Sequence, residues 1–456
     1  MNRRKFLKLS SATVTATATM ASLNSMLAHA TQVGSNNDDY KALVCVFLYG
    51  GMDSYDTVIP SDPSSYQEWA TIRQSLLNGY TTPRGIDNLL PLQTPARFGG
   101  RTFALPPEMP GLQALYQQGN MAVVGNVGPL LEPTTKTAVF NETANLPARL
   151  FSHNDQQSTW MSGSTEGAQY GWAGQLHDAL LSNGHSNNSP FSAVTMSSAE
   201  LMITGQQTVP YHLIGGQALN ANILDNVPNE LRTDLTNHFS HSTSNSSNLL
   251  NQDIAQKHAA AFESNALFQQ AVGQNSEAVP SYGQSYLGSQ LFSVANVVKA
   301  NEQLGANRQV FVVTLGGFDT HSEQATELPE LQAILDSAIS GFYNDLEQAG
   351  LHDKVTLFTA SDFGRTLAIN GDGTDHGWGA HHFVVGGAVN GGTIYGDVPP
   401  ANFNHSLDVG SGRLLPTMSI EQYAANFASW MGLSESQIES LFPELLNFAE
   451  RPNFMS

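Results

Sequence analysis

Short apolar runs, each followed by Gly, Asp or Ser, limit the folds open to this chain more than any other part of its sequence. They are rich in β-branched residues and span residues 42–49, 121–125, 310–315, 355–359 and 383–387. Runs of this length predict buried strands, and strands that are apolar on both faces are typical of a parallel sheet. Such sheets carry their ligand sites at the carboxyl ends of the strands. We therefore predict an α/β fold with a mostly parallel sheet.

Amphipathic helices are predicted between these strands. Residues 331–346 keep apolar side chains at helical spacing, with Pro329 near the predicted start and Gly350 past the end. Residues 287–298 show the same spacing. Two further helices, over residues 420–430 and 435–441, are expected to pack back onto the sheet, so helices flank it.

Residues 196–305 have a different character. Weak strands are predicted near Leu201 and Tyr211, followed by polar helices that a Ser/Asn-rich tract at 241–248 interrupts. We predict a mainly helical insertion with a flexible loop tip at this tract. The sequence shows no internal repeat, so the remainder of 31–456 is predicted to form one α/β domain.

The first thirty residues have the features of an export signal. Arg3 and Arg4 precede an Ala/Thr-rich, mildly apolar stretch that ends in the small-x-small pattern of Ala28, His29 and Ala30. We predict a twin-arginine signal peptide over 1–30, the twin-arginine export machinery as a partner, and a periplasmic or secreted mature protein. No other stretch reaches the ~18 continuous apolar residues of a membrane span, so no stable span is expected after processing.

Charge and cysteine content exclude several classes of protein. The formal net charge of −20 becomes about −24 when Arg3, Arg4, Lys5 and Lys8 are removed with the signal. Nucleic acids and anionic membranes bind basic faces, so neither is an expected partner. The single cysteine, Cys45, lies inside the first apolar run and is predicted to be a buried core residue. Any metal must therefore be held by histidine and carboxylate.

Four segments place polar, metal-competent side chains directly after a predicted strand. These side chains are Asp53, Asp319 with His321, Asp362 with Arg365, and the histidines His376, His381 and His382. An Asp in a Gly-rich turn is often only a turn former, and Arg365 either binds an anionic oxygen or forms a salt bridge with Asp362. Three histidines within seven residues nevertheless predict a metal site for Zn, Mn, Mg or Ca. Together the four segments are typical of a two-metal hydrolase.

The order of these motifs resembles a twin-arginine-exported family called domain of unknown function 1501, which is similar to the alkaline phosphatase/sulfatase superfamily. The resemblance covers nearly the whole chain. Its main motifs are Gly50-Gly51-Met52-Asp53, Ser152-His153-Asn154-Asp155, Gly317-Phe318-Asp319-Thr320-His321, Ser361-Asp362-Phe363-Gly364-Arg365-Thr366 and Asp375-His376-Gly377-Trp378-Gly379. It implies an alkaline-phosphatase-like fold with a mostly parallel sheet.

The resemblance also implies a set of metal ligands. By position these are Asp53, Asp319 with His321, and Asp362, completed by His376 or by His381 and His382. Phe363 stands where the superfamily has a histidine ligand. This departure removes one ligand of the second metal, unless His153, His376 or another histidine replaces it.

The nucleophile implied by the resemblance is Ser152, at the start of a predicted helix. A serine there can attack phosphorus or sulfur beside a metal, but Ser152 with Asp155 also has the pattern of a helix N-cap. Ser54 and Thr320 remain alternatives. Cys45 lies on the wrong element to provide the formylglycine of sulfatases, which argues against ordinary sulfatase action.

Two functions follow as hypotheses. The first is an exported, metal-dependent hydrolase of phosphate or sulfate esters, whose substrate is an anionic small molecule or a glycan ester. The alternative is a non-catalytic envelope protein that keeps the fold and one metal for binding or assembly. The retained Asp53, Asp319, His321 and His376 favour the enzyme, and Phe363 favours the alternative.

Overall fold

A computed structural model describes residues 39–218, 228, 231–235, 237, 249–273 and 280–456. The predicted signal peptide and the predicted loop tip at 241–248 lie outside these residues. The strands are β1 (Lys41–Leu48), β2 (Ile59–Pro60), β3 (Leu90–Leu92), β4 (Phe103–Leu105), β5 (Met121–Gly128), β6 (Ala193–Thr195), β7 (Tyr211–Ile214), β8 (Gln217–Ala218), β9 (Arg308–Leu315), β10 (Val355–Ser361), β11 (Arg365–Asn370), β12 (Gly373–His376), β13 (Ala380–Val385), β14 (Ile394–Gly396) and β15 (Met418–Ser419). The α-helices are α1 (Pro63–Ile72), α2 (Gln74–Gly79), α3 (Pro110–Gln117), α4 (Lys136–Phe140), α5 (His153–Ser162), α6 (Trp172–Ser182), α7 (Leu249–Val272), α8 (Tyr286–Lys299), α9 (Gln324–Gln348), α10 (Ile420–Met431) and α11 (Glu435–Leu441).

The main sheet has the strand order β14-β5-β13-β10-β1-β9-β6-β7-β8, and β15 also pairs with β5. β1 lies between β10 and β9 and is parallel to both. β6 and β7 extend the parallel part beyond β9. The predicted mostly parallel sheet is therefore confirmed, with all five apolar runs forming strands.

β13 is the exception among these runs, because it pairs antiparallel with both β10 and β5. The chain between β10 and β13 forms the β11–β12 hairpin and contains no helix. A parallel return needs a crossover of a dozen or more residues, usually a helix. The connection over residues 362–379 is long enough for such a crossover, but it folds into the hairpin instead of a helix, and the chain returns antiparallel beside β10.

Two apolar layers cover the faces of the sheet. Ala42, Val44 and Val46 of β1 belong to a core that includes residues of α3, α8 and α9. The alternate residues Cys45 and Phe47 belong to a second core with α6 and α10. Burial raises the pKa of the Cys45 thiol well above its usual range, as expected for a core residue.

The helix predictions are confirmed with shifted ends. α9 begins at Gln324, so Pro329 lies inside the helix instead of near its start. Tyr211 lies in a strand as predicted, whereas Leu201 lies in the 3-10 helix Glu200–Ile203. Within the predicted insertion, α8 contributes apolar side chains to the main core and β7 joins the main sheet. In the described ranges no helix combines the length and apolar character needed to cross a membrane.

Candidate metal centre

The centre lies where β9, β1 and β10 end side by side, with Leu48 in register with both Leu315 and Ser361. The loop after β9 carries Asp319 and His321, and β12 ends at His376. A fourth side chain, His153, comes from the first residue of α5. We refer to His153, Asp319, His321 and His376 as the metal cluster.

The ligand atoms of the metal cluster converge. The Nε2 atom of His376 lies 3.1 Å from Nε2 of His153 and 3.0 Å from Nε2 of His321. The Asp319 carboxylate lies 3.3 Å from His153 Nε2, 3.1 Å from His321 Nε2 and 3.2 Å from His376 Nε2. Among the described residues, His153, Asp319 and His376 form the one group of three or more His, Cys, Asp or Glu with mutually close ligand atoms, and His321 is not a member of this group.

The second ring nitrogen of each histidine determines where its hydrogen lies. Nδ1 of His376 is 2.9 Å from the carbonyl oxygen of Phe151, which can only accept a hydrogen bond. Nδ1 of His153 is 2.6 Å from Asp362 Oδ2, and the third histidine places Nδ1 3.5 Å from the Asp375 carboxylate. In neutral imidazoles with the hydrogen on Nδ1, the Nε2 lone pairs of His153 and His321 both face Nε2 of His376. A cation between them relieves this repulsion.

The donor spacing also fits a metal. Zn–N bonds of about 2.0–2.1 Å in a tetrahedral site place neighbouring donor atoms roughly 3.3–3.4 Å apart. The separations of the Asp319 carboxylate and His376 Nε2 from each other and from Nε2 of His153 and His321 are 3.0–3.3 Å. Imidazole and carboxylate donors are therefore arranged for one small divalent ion, and the acceptors at Nδ1 orient the rings as partners of metal-bound histidines do.

Asp362 orients one of these rings. Its side chain is fully buried, and Oδ2 accepts hydrogen bonds from His153 Nδ1 and, at 2.9 Å, from Gln157 Nε2. The hydrogen bond with Asp362 raises the pKa of His153, whereas burial lowers the pKa of His376. Asp362 was predicted as a ligand, and the structure places it behind His153 instead.

Phe363 fills the space beside the metal cluster. Its buried ring packs at centroid distances of 4.8 Å from His153 and 4.6 Å from His376. The ring therefore supports two of the imidazoles from the side. Gly51, at φ +96°, makes room for it, because a Cβ there would lie 2.6 Å from the phenyl ring.

Arg365 positions Asp319. Its buried guanidinium donates to the Asp319 carboxylate at 2.5 Å and to the carbonyl oxygen of Gly50 at 3.1 Å. Further bonds go to the hydroxyl and carbonyl oxygens of Thr374. Burial raises the pKa of the Asp319 carboxyl, but the hydrogen bond and charge of Arg365, together with the neighbouring histidines, outweigh it and the net pKa is lowered. The predicted salt bridge of Arg365 thus forms with Asp319 and not with Asp362.

Asp53 does not join the metal cluster. Its carboxylate accepts from both terminal nitrogens of Arg73, at 2.7 and 3.3 Å, and from Gln324 Nε2 at 2.7 Å. The backbone N–H of Tyr55 also donates to it. The Arg73 guanidinium therefore binds the carboxylate for which the sequence predicts a metal.

His381 and His382 also lie away from the metal cluster. The Gly-rich loop ends at Gly379, so both residues fall inside the buried strand β13. Nδ1 of His381 accepts from the Asn126 N–H at 2.9 Å, and Nδ1 of His382 lies 3.3 Å from Thr359 Oγ1. Burial lowers the pKa of His381 to about 4 and that of His382 to about 3. Both are core histidines in the structure.

The candidate nucleophiles differ in their surroundings. Ser152 is half-buried at the N-cap of α5, but its hydroxyl donates to Asp155 Oδ2 at 2.8 Å and caps no backbone N–H. Ser54 and Thr320 are fully buried, and their hydroxyls bond to the His381 N–H and to Gln324 Oε1. Ser152 is thus the most accessible of the three hydroxyls.

An open cleft of about 460 Å³ adjoins the metal cluster and is lined by Phe151, His321, Asp375, His376, Val409 and Arg413. Arg413 Nε donates to the carbonyl oxygen of His376 at 2.9 Å, and its guanidinium lies 5.5 Å from the Phe151 ring centroid. The sequence does not indicate Arg413 as a site residue, because it lies between β14 and β15 and belongs to no motif at a strand end. His153 is signalled only by its position within Ser152-His153-Asn154-Asp155.

Fold and site together define an α/β protein with a histidine–carboxylate cluster at the carboxyl edge of a mostly parallel sheet. The chain belongs to the family described as "Protein of unknown function (DUF1501)", whose family model matches residues 40–434. No curated protein sequence gives a match.

Solved structures of the same fold class include a periplasmic domain, a sulfatase and an alkaline phosphatase. The zinc complex of the C-terminal periplasmic domain of EcEptC from Escherichia coli shares 10% identity, covering 76% of this chain and 72% of that chain, with a TM-score of 0.32. PsFucS1 sulfatase from Pseudoalteromonas sp. shares 7% identity over 90% and 71%, with a TM-score of 0.35. A mutant of alkaline phosphatase PafA shares 11% identity over 72% and 63%, with a TM-score of 0.28. These scores are too low to transfer any activity to this chain.

Proposed function

We propose that this protein is a divalent-metal-dependent hydrolase of phosphate or sulfate esters. The observation that carries the proposal is the approach of the Asp319 carboxylate and of the His153 and His321 imidazoles to His376 Nε2, at the rim of an open cleft. Imidazole-rich donor sets favour Zn²⁺ over Mg²⁺ and Ca²⁺, which prefer oxygen ligands. Zinc is therefore the first ion to test, followed by manganese.

The metal cluster would hold the ion, and the surrounding residues would prepare it. A bound divalent ion polarises ester oxygens and eases deprotonation of a nucleophile. Arg365 keeps Asp319 ionised and fixed, and Asp362 keeps Nδ1 of His153 protonated so that Nε2 faces the centre. These contacts act before any substrate is present, so they preorganise the site.

The cleft would bind the anionic part of the ester. Arg413 offers a guanidinium beside the metal cluster, a group whose forked donors suit phosphate and sulfate oxygens. With the metal it provides the local positive charge that a chain of formal net charge −20 otherwise lacks. The Phe151 ring beside Arg413 adds an apolar wall for the alcohol portion of the ester.

Ser152 or a water molecule would attack the phosphorus or sulfur atom. The new oxygen bond would form as the ester bond breaks, and the departing alkoxide would take up a proton. On the Ser152 route, water would then cleave the phosphoryl or sulfuryl group from the serine oxygen and restore its hydroxyl. Asp155 accepts the hydrogen bond of the Ser152 hydroxyl and is placed to receive its proton.

A non-catalytic metal-binding protein is the second candidate. The contacts of Arg365 favour it, because the guanidinium donates its hydrogen bonds to Asp319, Gly50 and Thr374 and not to a ligand in the cleft. Such a protein would bind the metal with the same ligands and show no turnover.

Metal analysis and an ester panel test the proposal. Purified wild type, Asp319→Ala and His376→Ala are loaded with Zn²⁺ or Mn²⁺ and assayed with aryl phosphate and aryl sulfate monoesters and a phosphate diester. We expect turnover in the wild type and neither metal nor turnover in the two variants. His212→Ala is the matched control, because His212 pairs with Glu200 on the surface at 3.0 Å. A metal-loaded wild type that turns over none of the esters would establish the second candidate.

We further propose that the chain is exported by the twin-arginine route. The Arg3-Arg4 pair and the Ala28-His29-Ala30 pattern support this. Replacing both arginines with lysine should leave the full-length protein in the cytoplasm with its first thirty residues attached. Normal processing of that variant would refute twin-arginine export.

A further inference from the structure

The strongest feature outside the metal cluster is a buried network around Asp53. Arg73 and Asp56 are fully buried, and Asp53 is 1% exposed. Arg73 Nη1 donates to Asp53 at 2.7 Å and to Asp56 at 3.0 Å. Its second terminal nitrogen donates to Asp53 and to the carbonyl oxygen of Thr366, at 2.8 Å. One guanidinium therefore bridges two buried carboxylates.

Neutral donors satisfy most of what remains. Gln324 Nε2 donates to Asp53 at 2.7 Å and to Asp56 at 3.2 Å, and the Tyr80 hydroxyl donates to Asp56 at 2.7 Å. Burial raises the pKa of Asp56. The charges of Asp53 and Asp56 raise the pKa of Arg73 against the opposing effect of its burial. The guanidinium is therefore a permanent cation at this position.

A metal at Asp53 would compete with this arrangement. Both Asp53 oxygens already accept hydrogen bonds from Arg73, so a metal would have to displace a guanidinium that has no route to solvent. A buried charge that loses its partner is strongly destabilising. No imidazole contacts Asp53 among the described residues, since its partners are Arg73, Gln324 and backbone N–H groups.

The other two residues assigned to a second metal fit no better. Phe363 offers a phenyl ring, which cannot ligate a cation of this kind. Asp362 uses Oδ2 for His153 and Gln157, and its Oδ1 has no hydrogen-bond partner among the described residues. That oxygen alone makes no site, because in the described part of the chain a single group of mutually close ligand atoms exists, at the metal cluster.

We propose that the centre is mononuclear and that Arg73 takes the place of a second metal at Asp53. This inference rests on the proposed function for its first metal. The Arg73 guanidinium supplies a fixed positive charge to the loop after β1, which therefore needs no metal to be neutralised. The two-metal site expected from the sequence is thus replaced by one exchangeable cation and one covalently attached cation.

Metal stoichiometry tests this directly. Mature wild-type protein is dialysed to equilibrium against buffered Zn²⁺, and in parallel Mn²⁺, and bound metal per chain is measured by atomic emission. Asp53→Asn and His376→Ala are measured in the same way. We expect one ion per chain in the wild type and in Asp53→Asn, and none in His376→Ala.

Three results would overturn the inference. Two ions in the wild type would contradict it while leaving the proposed hydrolase intact, and a single ion that Asp53→Asn abolishes while His376→Ala retains it would place the metal at Asp53. No ion in the wild type would remove the metal of the proposed function as well. If Asp53→Asn does not fold, one wild-type ion that is lost in His376→Ala still supports the inference.

Discussion

Replacing Asp362 with asparagine should weaken metal binding without removing a ligand. The buried Asp362 carboxylate lies 2.6 Å from His153 Nδ1 and takes no other part in the metal cluster. Asparagine has the same shape and can still accept from Nδ1, but a neutral acceptor makes a hydrogen bond about half as strong as a charged one. Loss of such a partner behind a metal-bound histidine lowers metal affinity by about 10–100-fold, or roughly 1.4–2.7 kcal/mol.

Competition with a chromophoric chelator at pH 8 measures this change for Zn²⁺. Gln157→Leu is the matched control, since it removes the other hydrogen bond to Asp362 Oδ2 and leaves the carboxylate in place. We expect the control to bind metal within about threefold of wild type. An Asp362→Asn affinity equal to wild type, or one as low as that of His376→Ala, would refute the assignment of Asp362 as a positioning residue.

The effect also depends on pH with a definite sign. The hydrogen bond with Asp362 raises the pKa of His153 above its usual 6.5. A metal must displace the His153 proton, so acidification weakens metal binding to the wild type from a higher pH than in Asp362→Asn. The affinity difference between the two proteins should therefore narrow as the pH falls toward 6.5. A difference that widens on acidification would contradict the reasoning.

Three further outcomes are expected. Burial raises the pKa of Glu421 from 4.5 to about 7, so its contribution to stability is complete below pH 4.5 and is lost as the pH rises through 7. The free energy of unfolding of Glu421→Gln, measured in urea relative to that of wild type, should therefore rise by roughly 3 kcal/mol between pH 4.5 and pH 8. A difference that does not change with pH would contradict this. Gly50→Ala places a Cβ 2.3 Å from the Asp319 nitrogen at φ +112°, whereas Gly99→Ala at φ +65° meets no atom within 4 Å. The first variant should lose about 1–3 kcal/mol more stability than the second and also bind less metal. Equal losses would show that the loop after β1 adjusts to the added methyl group without strain. Arg73→Met leaves Asp53 and Asp56 buried without their cation and should cost about 3–5 kcal/mol in the same unfolding assay; a loss below about 1 kcal/mol would show that the network carries little energy.

The sheet could be predicted because its strands are buried on both faces, which leaves an unbroken apolar run in the sequence. β1 is the clearest case, with alternate residues in two different cores. The direction of β13 could not be read in this way, because it depends on how the connection over residues 362–379 folds and not on the strand itself.

Position after a strand indicated part of the candidate site, but it did not separate cluster residues from the others, since Asp53 and Asp362 also follow strands. Asp319 and His321 follow β9, whereas the true partner of Asp53 is Arg73, at the junction of α1 and α2. The sequence places His381 and His382 in a Gly-rich loop, but β13 begins at Ala380 and therefore includes both histidines in a buried strand. Pairings of this kind arise from tertiary packing, which leaves no local pattern in the sequence.

The separation of the ligands along the chain has a consequence for the order of events during synthesis. His153 and His376 lie 223 positions apart, yet their Nε2 atoms are 3.1 Å from each other. The ribosome adds about 5–20 residues per second, so about ten seconds or more pass between the synthesis of His153 and that of His376. Under the proposed metal binding, loading would therefore report on completed tertiary structure, and the metal content of a preparation would follow the fraction of chains that reached the native fold.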